Sequence, residues 1–330
     1  MVHRFASLFA CVFLFSCANT ALQPTLNAES AKKIALTYDD APLGAGPRYS
    51  GRERTEALVQ QLAEAESGPV AFFVTTRGLE DENGTARITS YAAAGHLIAN
   101  HSDQHIWASR TPVLDYIADI DRAEARLEGF ENRRPWFRFP FLDEGGMGEA
   151  NASGEKRDAL RDALDERNLI SGYVTIDTYD WHLDRLWARA AQNSERVDMN
   201  ALGKVYVDMV LDAARHYDAL GQRVLDRRPV QVLLLHENDL AASFTADLIQ
   251  ALRADGWEIV DPDAAFSDQI SNQLPKTQFS GMGRISALAA DKGWRDRGTL
   301  DHWSVSETAI EARVQTENVF TTTGASADVD

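Results

Sequence analysis

The sequence has 330 residues, a length that suits two average domains or one large α/β barrel. Hydrophobic residues make up 44% and charged residues 25%, which excludes a collagen, a coiled-coil rod and a wholly disordered chain. With 33 basic and 50 acidic side chains the net charge is −17, so we expect no surface that neutralises phosphates and no nucleic-acid partner.

The N-terminus has the pattern of a secretory signal peptide, which we place at residues 1–28. A short positive start precedes an apolar run of eleven residues, Phe5–Phe15, which is too short to span a bilayer. The residues that end at Cys17 also resemble a bacterial lipobox, in which a lipidated Cys17 would tether the chain to a membrane; simple cleavage is the alternative. Both interpretations predict export, to the periplasm, to the outer membrane as a lipoprotein, or out of the cell.

From Lys32 onward, short apolar runs alternate with longer amphipathic stretches, which predicts parallel βα units. The predicted strands are Ile34–Tyr38, Val70–Thr75, His96–Ala99, Trp136–Phe139, Leu169–Ile176, Val230–Leu235 and Trp257–Val260. The predicted helices cover residues 52–66, 86–94, 113–128, 155–168, 199–220 and 240–254. This number of units favours an α/β fold, a distorted (β/α) barrel of about seven strands, over an open sheet.

The βα rhythm stops near the end of the predicted barrel, which we place at residues 29–268. Residues 269–330 are predicted to form a C-terminal extension without strand rhythm. Trp294 and Trp303 need something to bury against, so we expect this extension to pack over or beside the barrel mouth. Its last ten residues, 321–330, are polar and acidic, which predicts a disordered tail.

Polar side chains follow five of the predicted strands. These groups are Asp39-Asp40, Asn100 to His105, Arg138 to Phe141, Asp177 to Trp181, and His236-Glu237. Each is weak evidence alone, because an Asp pair is commonly a turn or a helix cap and a buried histidine commonly satisfies a backbone carbonyl. The carboxyl ends of parallel strands meet at one mouth of a barrel, so the five groups together predict a site there.

The same residues resemble a known pattern. In order, they are Thr37-Tyr38-Asp39-Asp40-Ala41-Pro42, His101-Ser102-x-x-His105, Arg138-x-Pro140-Phe141, Asp177-x-x-Asp180-Trp181 and Leu234-x-His236. They resemble the five motifs of the polysaccharide deacetylase family with the NodB homology domain, also called carbohydrate esterase family 4. The resemblance covers Lys32 to Ala265 and implies a NodB-like barrel.

The chain also departs from the family pattern. Ala41 stands where that family more usually has Gly, and Tyr38 where it often has Phe. After the proline, Phe141-Leu142-Asp143-Glu144 replaces the common pair of an aromatic residue and Gly. These departures concern the substrate rim more than the reacting groups, so the resemblance predicts the chemistry more firmly than the substrate.

The resemblance implies a metal-dependent polysaccharide N-deacetylase, a hydrolase acting on a carbon-nitrogen, non-peptide bond in linear amides. Its substrate would be an N-acetylated glycan of the peptidoglycan or chitin type. Asp40, His101 and His105 are the implied metal ligands. Two imidazoles and one carboxylate leave open positions on a divalent ion, where a bound water can reach a pKa of about 7. The set favours zinc and also suits Fe²⁺, Co²⁺ or Ni²⁺.

The resemblance also implies the proton-transfer groups. Asp39 is the implied general base that takes a proton from the attacking water, and Arg138 would pair with it and keep it charged and aimed. His236 is the implied general acid that protonates the departing amine, and Asp180 would favour its protonated form through a hydrogen bond.

Three further residues are implied to contact the substrate. Trp181 and Leu234 would form walls of the pocket for the acetyl methyl group, and the backbone N–H of Phe141 would be a second donor to the oxyanion. Asp177 ranks below the other residues, with a structural hydrogen-bonding role as the alternative.

Two alternative functions remain open at this point. An O-acetyl esterase acting on xylan would keep the same mechanism on a different bond. Groups that suffice for an amide also suffice for an ester, because an ester needs less help at the leaving group. A non-catalytic secreted carbohydrate-binding protein would need no base, ligand triad and acid together. A non-haem iron oxygenase shares the triad type but has no use for the remaining base and acid.

Overall fold

The computed structural model describes Met1 and residues 31–81, 83–277 and 283–322. The chain divides into two compact units, Met1–Ser30 and Ala31–Asp330. The predicted signal peptide with Cys17 and nearly all of the predicted acidic tail lie outside the described residues, so these assignments and the domain boundaries stay predictions. Among the described residues, no helix combines the length and the apolar character that crossing a membrane requires.

A parallel sheet forms the centre of the second unit. Its strands are β1 (Lys32–Ala41), β2 (Ala71–Val74), β3 (Leu97–Asn100), β4 (Arg133–Phe137), β5 (Ile170–Ser171), β7 (Gln231–His236) and β8 (Trp257–Ile259). The strand order is β5-β4-β3-β2-β1-β7, and β8 pairs with the start of β1. A separate antiparallel pair joins β6 (Arg196–Val197) to β9 (Phe320–Thr321). The predicted α/β class and the curled parallel sheet of about seven strands are confirmed.

Helices cover the curled sheet. They are α1 (Gly51–Glu64), α2 (Gly84–Ala93), α3 (Val113–Leu127), α4 (Glu155–Glu166), α5 (Asp180–Gln192), α6 (Met199–Leu225), α7 (Asp239–Ala254), α8 (Pro262–Phe266), α9 (Arg284–Asp291), α10 (Arg297–Leu300) and α11 (Glu307–Thr316). The sequence explains several helix starts. Ser50 and Glu53 form a capping box at α1, and the Asn238 side chain caps α7 two residues after β7 ends.

The segment after α4 closes the barrel. The predicted strand Leu169–Ile176 is only partly correct, because β5 ends at Ser171 and the chain then crosses from β4 to β7. Ile176 forms an isolated parallel bridge with Leu233, and the Thr175 amide donates to the Val232 carbonyl at 3.0 Å. One short segment thus pairs with β4 at its start and with β7 at its end.

The core lies on both faces of the central strands. Residues 34–36 of β1 and 71–74 of β2 are fully buried, as parallel strands covered by helices require. Phe72 stacks on Tyr91 of α2 with ring centroids 3.8 Å apart, and this contact anchors α2 to the sheet. A second, smaller cluster under α3 and α4 contains Phe137 and Leu160.

The C-terminal segment differs from the irregular extension expected from the sequence. It contains α9, α10 and α11, and its strand β9 pairs with β6. Ile310, Val314 and Val319 are buried in the main core, while Trp294 and Trp303 pack against that core partly exposed. The helices are short and separated by polar turns, which is why their apolar periodicity is hard to see in the sequence.

Candidate active site

The predicted site residues come together at the carboxyl ends of the parallel strands. Asp39 and Asp40 lie at the carboxyl end of β1, and His236 is the last residue of β7. His101 directly follows β3, and Arg138 directly follows β4. The cleft at this mouth has a volume of about 480 Å³. Its lining residues are Asp39, Asp40, His101, His105, Trp107, Phe141, Leu142, Asp177, Tyr179, Trp181, Leu234, His236 and Glu307.

Two of the predicted residues do not line the cleft. Arg138 and Asp180 are 1% and 0% exposed, and they lie behind Asp39 and His236 respectively. Both contact a cleft residue through an ion pair, so they act through another side chain. The structure therefore brings all ten predicted residues together, eight at the surface of the cleft and two beneath it.

Asp40, His101 and His105 form a compact cluster of donor atoms. One donor atom from each lies within 4.8 Å of the other two. The Nε2 atom of His105 is 3.0 Å from Asp40 Oδ1, and the Nε2 atom of His101 is 3.5 Å from the same oxygen. Among the described residues, this is the one group of at least three such side chains with this spacing.

Local backbone geometry brings the two histidines together. Asp40, Ser102 and His105 have φ angles of 66°, 68° and 53°, in the left-handed region that residues other than glycine rarely adopt. The Ser102 amide donates to Asn100 Oδ1 at 2.7 Å, and the His105 amide donates to Ser102 Oγ at 2.9 Å. These side-chain acceptors hold the loop after β3 in a tight turn. Unusual backbone angles concentrated at one site are typical of functional sites.

The tautomer of His101 is fixed by its neighbour. Its Nδ1 is 2.9 Å from the Arg138 carbonyl oxygen, which can only accept, so Nδ1 carries the hydrogen and Nε2 keeps its lone pair. Burial lowers the pKa of His101 to about 4, so the ring is neutral at physiological pH. A neutral imidazole with a free Nε2 is the form that binds a metal.

The cluster fits a divalent cation. Burial would raise the pKa of Asp40, but the contact with His105 and the charges of His236 and His101 together outweigh it and hold this pKa below its usual range. Asp40 Oδ1 is buried and, among the described residues, has no hydrogen bond of good geometry, although His105 Nε2 lies 3.0 Å away. A buried carboxylate oxygen without a well-aligned donor, facing the lone pair of the neutral His101, is destabilised unless a positive charge lies between them.

Asp39 is held by a buried guanidinium. Arg138 Nη1 lies 2.5 Å from Asp39 Oδ1 and also donates to Thr37 Oγ1 at 2.8 Å, while its Nε donates to the Gly172 carbonyl at 2.6 Å. Asp39 Oδ2 is 3.7 Å from His101 Nε2. One oxygen of Asp39 is therefore fixed by Arg138, and the other lies beside the metal-ligand cluster.

His236 is paired with a fully buried carboxylate. Its Nδ1 is 2.6 Å from Asp180 Oδ1, and the second oxygen of Asp180 accepts from the His236 amide at 2.9 Å and from Asn238 Nδ2 at 3.1 Å. Burial alone would lower the pKa of His236, but the charge and hydrogen bond of Asp180, together with the charges of Asp40 and Asp39, outweigh it and raise this pKa to about 10. The ring is therefore protonated at neutral pH, with Nδ1 held by Asp180.

Asp177 lies in the same cleft and is 4% exposed. Burial raises the pKa of Asp177 to about 7, and the negative charge of Asp180 adds to this, while His236 opposes it. The Asp177 backbone carbonyl also accepts from Ser304 Oγ at 3.2 Å, which ties this strand end to the C-terminal segment.

Four cleft residues were not predicted from the sequence as site residues: Trp107, Leu142, Tyr179 and Glu307. Trp107 lies two residues after His105, so its place in that loop was a signal. Glu307 begins α11 and reaches the mouth because the Tyr179 amide donates to the Ser304 carbonyl at 2.7 Å. No sequence pattern connects residue 307 with a barrel mouth formed before residue 240.

The comparisons with known proteins agree with the motif analysis. Residues 27–149 match the family described as Polysaccharide deacetylase, and they contain Asp39, Asp40, His101, His105 and Arg138. This match covers the N-terminal part of the chain and confirms the resemblance to this family that the motifs predicted. Among curated proteins, none matches the sequence.

Three solved structures are similar to this chain at low identity. One is the peptidoglycan deacetylase PdaC from Bacillus subtilis, at 18% identity over 71% of this chain and 89% of that chain, with a TM-score of 0.42. The second is a family 4 carbohydrate esterase from Streptomyces lividans in complex with acetate, at 18% identity, coverage of 72% and 97%, and a TM-score of 0.43. The third is the chitin deacetylase from the fungal pathogen Colletotrichum lindemuthianum, at 19% identity, coverage of 72% and 88%, and a TM-score of 0.47.

Proposed function

We propose that this protein is a divalent-metal-dependent hydrolase that removes acetyl groups from an N-acetylated glycan, with N-acetylglucosamine units of the peptidoglycan or chitin type as substrate. The observation that carries the proposal is the content of one cleft. It contains a cluster of three possible metal ligands, a carboxylate held beside that cluster, and a histidine whose carboxylate partner lies directly beneath the cleft. Hydrolysis of an acetamide needs a nucleophile, stabilisation of the carbonyl oxygen and a proton for the amine.

Asp40, His101 and His105 would hold the ion. When bound, a divalent ion lowers the pKa of a coordinated water and polarises the acetyl carbonyl. Zinc suits this set of one carboxylate and two imidazoles, and Fe²⁺, Co²⁺ and Ni²⁺ also accept it. His101 is oriented for this role by its hydrogen bond to the Arg138 carbonyl, as ligand histidines commonly are.

Asp39 is proposed as the general base. Arg138 fixes one of its oxygens at 2.5 Å, so the other oxygen is left to accept a proton from the attacking water. The guanidinium stays charged and has little freedom to move, because it also donates to Thr37 and Gly172. This arrangement aims the free oxygen of Asp39 at the cleft.

His236 is proposed as the general acid. Asp180 holds its Nδ1, which leaves Nε2 as the nitrogen that can protonate the departing amine. The raised pKa of about 10 keeps the imidazole protonated at neutral pH, as an acid requires before the reaction. Asp180 cannot itself exchange protons with the substrate because it is fully buried.

The remaining residues of the cleft would position the acetamide. Trp181 and Leu234 are proposed as the walls of the acetyl pocket, and the Phe141 amide as a donor to the developing oxyanion. In the described part of the chain, no other residue accepts a hydrogen bond from the Phe141 amide, so this donor is left for a ligand.

The experiment that tests this function measures acetate released by the full chain from N-acetylglucosamine oligomers and from acetylated xylan. We expect release from the N-acetylated oligomers to exceed release from xylan at equal acetyl content. Faster release from xylan would assign the chain as an O-acetyl esterase. Binding of the oligomers with no acetate released from either substrate would assign it as a carbohydrate-binding protein.

A further inference from the structure

The loop after β4 places two consecutive non-glycine residues in a left-handed backbone conformation. Phe141 and Leu142 have φ angles of 60° and 53°. This conformation costs an L-residue roughly 1–2 kcal/mol, and glycine adopts it freely. Leu142 stands where the family pattern commonly has Gly, so this chain needs other contacts to hold the loop in place.

An aromatic stack supplies one such contact. The Trp107 ring is parallel to the Phe141 ring within 4°, with centroids 4.0 Å apart. The Arg110 guanidinium lies 4.6 Å from the centroid of the Trp107 ring, and the His105 ring meets Phe141 edge-on at 4.5 Å. Trp107 therefore fixes the side chain of Phe141 from the neighbouring loop.

A buried carboxylate joins the same two loops. Asp143 is fully buried and accepts from the Ser109 amide at 2.7 Å, from Ser109 Oγ at 2.5 Å and from the Gly145 amide at 2.9 Å. Hydrogen bonds to a buried charged acceptor are among the stronger ones in proteins. The loop that carries Phe141 is thus attached on both sides of Leu142.

We propose that Trp107 is a positioning residue that holds the Phe141-Leu142 backbone in its left-handed conformation and thereby aims the Phe141 amide at the reacting carbonyl. The Ser109–Asp143 pair supports the same loop. This role rests on the proposed function, because it matters for catalysis only where the Phe141 amide is an oxyanion donor. The contacts themselves do not depend on that function.

The first test is a double-mutant cycle in the full chain, with the melting temperature (Tm) as the readout. We expect Trp107→Leu to lower Tm less in a Leu142→Gly background than in the natural one, because Gly adopts φ near 53° without the stack. Trp294→Leu is the matched control, since Trp294 also carries an arginine, Arg223, 4.6 Å from its ring centroid and lies outside the cleft. Its effect on Tm should be equal in both backgrounds.

The second readout is acetate release, with metal content measured on the same samples. We expect Trp107→Leu to reduce kcat by about 10- to 100-fold with metal content and KM little changed, since misplacing a catalytic group by about 1 Å has an effect of this size. The loss should be smaller in the Leu142→Gly background. If Trp107→Leu does not fold, Trp107→Phe replaces it in the cycle; its smaller ring overlaps Phe141 less, so the same pattern of effects is expected at a smaller size.

The outcomes separate the two claims. Equal Tm losses in both backgrounds, or a kcat loss that Leu142→Gly does not reduce, would overturn the positioning role. A natural chain that releases no acetate from any glycan would overturn the proposed function, and the Tm cycle would still decide whether Trp107 holds the loop.

Discussion

At the level of single residues, buried charged side chains hold the reactive side chains of the site in place: Arg138 holds Asp39, and Asp180 holds His236. Arg138 donates to Thr37, Asp39 and the Gly172 carbonyl, and its guanidinium carbon lies 3.7 Å from the centroid of the Phe73 ring. Removing a charge from water is expensive, so a buried Arg138 is stable only because its donors are satisfied and the Asp39 carboxyl group lies beside it. The contact with Arg138 thus restricts the orientation of Asp39.

We expect Asp39→Asn to reduce kcat by about 10² to 10⁴ while metal content is retained, because the amide cannot accept a proton as a general base does. The measurement pairs acetate release with elemental analysis of the same preparation. Asp121→Asn is the control, since Asp121 is an exposed partner of Arg167 and does not line the cleft. Unchanged turnover in Asp39→Asn would remove the general-base assignment.

The pH dependence follows from His236. Burial lowers its pKa, but the charge and hydrogen bond of Asp180 together with the charges of Asp40 and Asp39 raise it from 6.5 to about 10, so the protonated form is lost as pH rises through about 10. A divalent ion near Asp40 would lower the pKa from that value and shift the fall in rate to lower pH. We expect His236→Ala to lack this alkaline fall in kcat. A rate profile with the same alkaline fall in His236→Ala would contradict the acid role.

Most of the site residues could be predicted from the sequence because each polar group directly follows an apolar strand. Trp107 and Glu307 show where that reasoning ends. Trp107 does not directly follow a strand, and it contributes to the site by stacking on the ring of Phe141. Glu307 reaches the cleft only because the C-terminal segment folds back and Ser304 bonds to Tyr179. Such contacts between distant segments leave no local pattern in the sequence.

At the scale of elements, the strands of the sheet were predicted well because fully buried parallel strands read as continuous apolar runs. Helix α5 was missed, although Leu183, Trp187 and Ala190 recur at helical spacing and are all buried. The motif Asp177 to Trp181 was interpreted as a strand end, and the structure begins α5 at Asp180 within it. The first residue of α5, Asp180, therefore supplies the carboxylate that contacts His236.

Helix α11 packs into the core of the second unit, so we expect a loss of its buried side chains to destabilise that unit. Ile310 is fully buried among core residues, whereas Gln315 on the same helix is exposed. We expect Ile310→Ala to lower the free energy of unfolding by about 2–5 kcal/mol, because it leaves a cavity. Gln315→Ala should change it by about 0.5 kcal/mol or less. The measurement is denaturant unfolding, and equal effects of the two substitutions would show that α11 is not part of the core.

At the scale of the whole molecule, an acidic chain with a net charge of −17 carries three histidines in one cleft, His101, His105 and His236. Their environments differ in a way that separates their roles. Burial lowers the pKa of His101 to about 4, whereas Asp180 raises the pKa of His236 to about 10. One histidine is therefore neutral and suited to a metal, and the other is charged and suited to give up a proton.

The most direct test of the account is metal content and acetate release measured together on the full chain, before and after chelation and after zinc is added back. We predict one equivalent of metal, loss of acetate release with the chelator and recovery with zinc. His101→Ala should lose the metal, whereas His216→Ala, which changes a partly buried histidine outside the cleft, should keep it. Full metal content in His101→Ala, or acetate release that survives complete removal of the metal, would contradict the account.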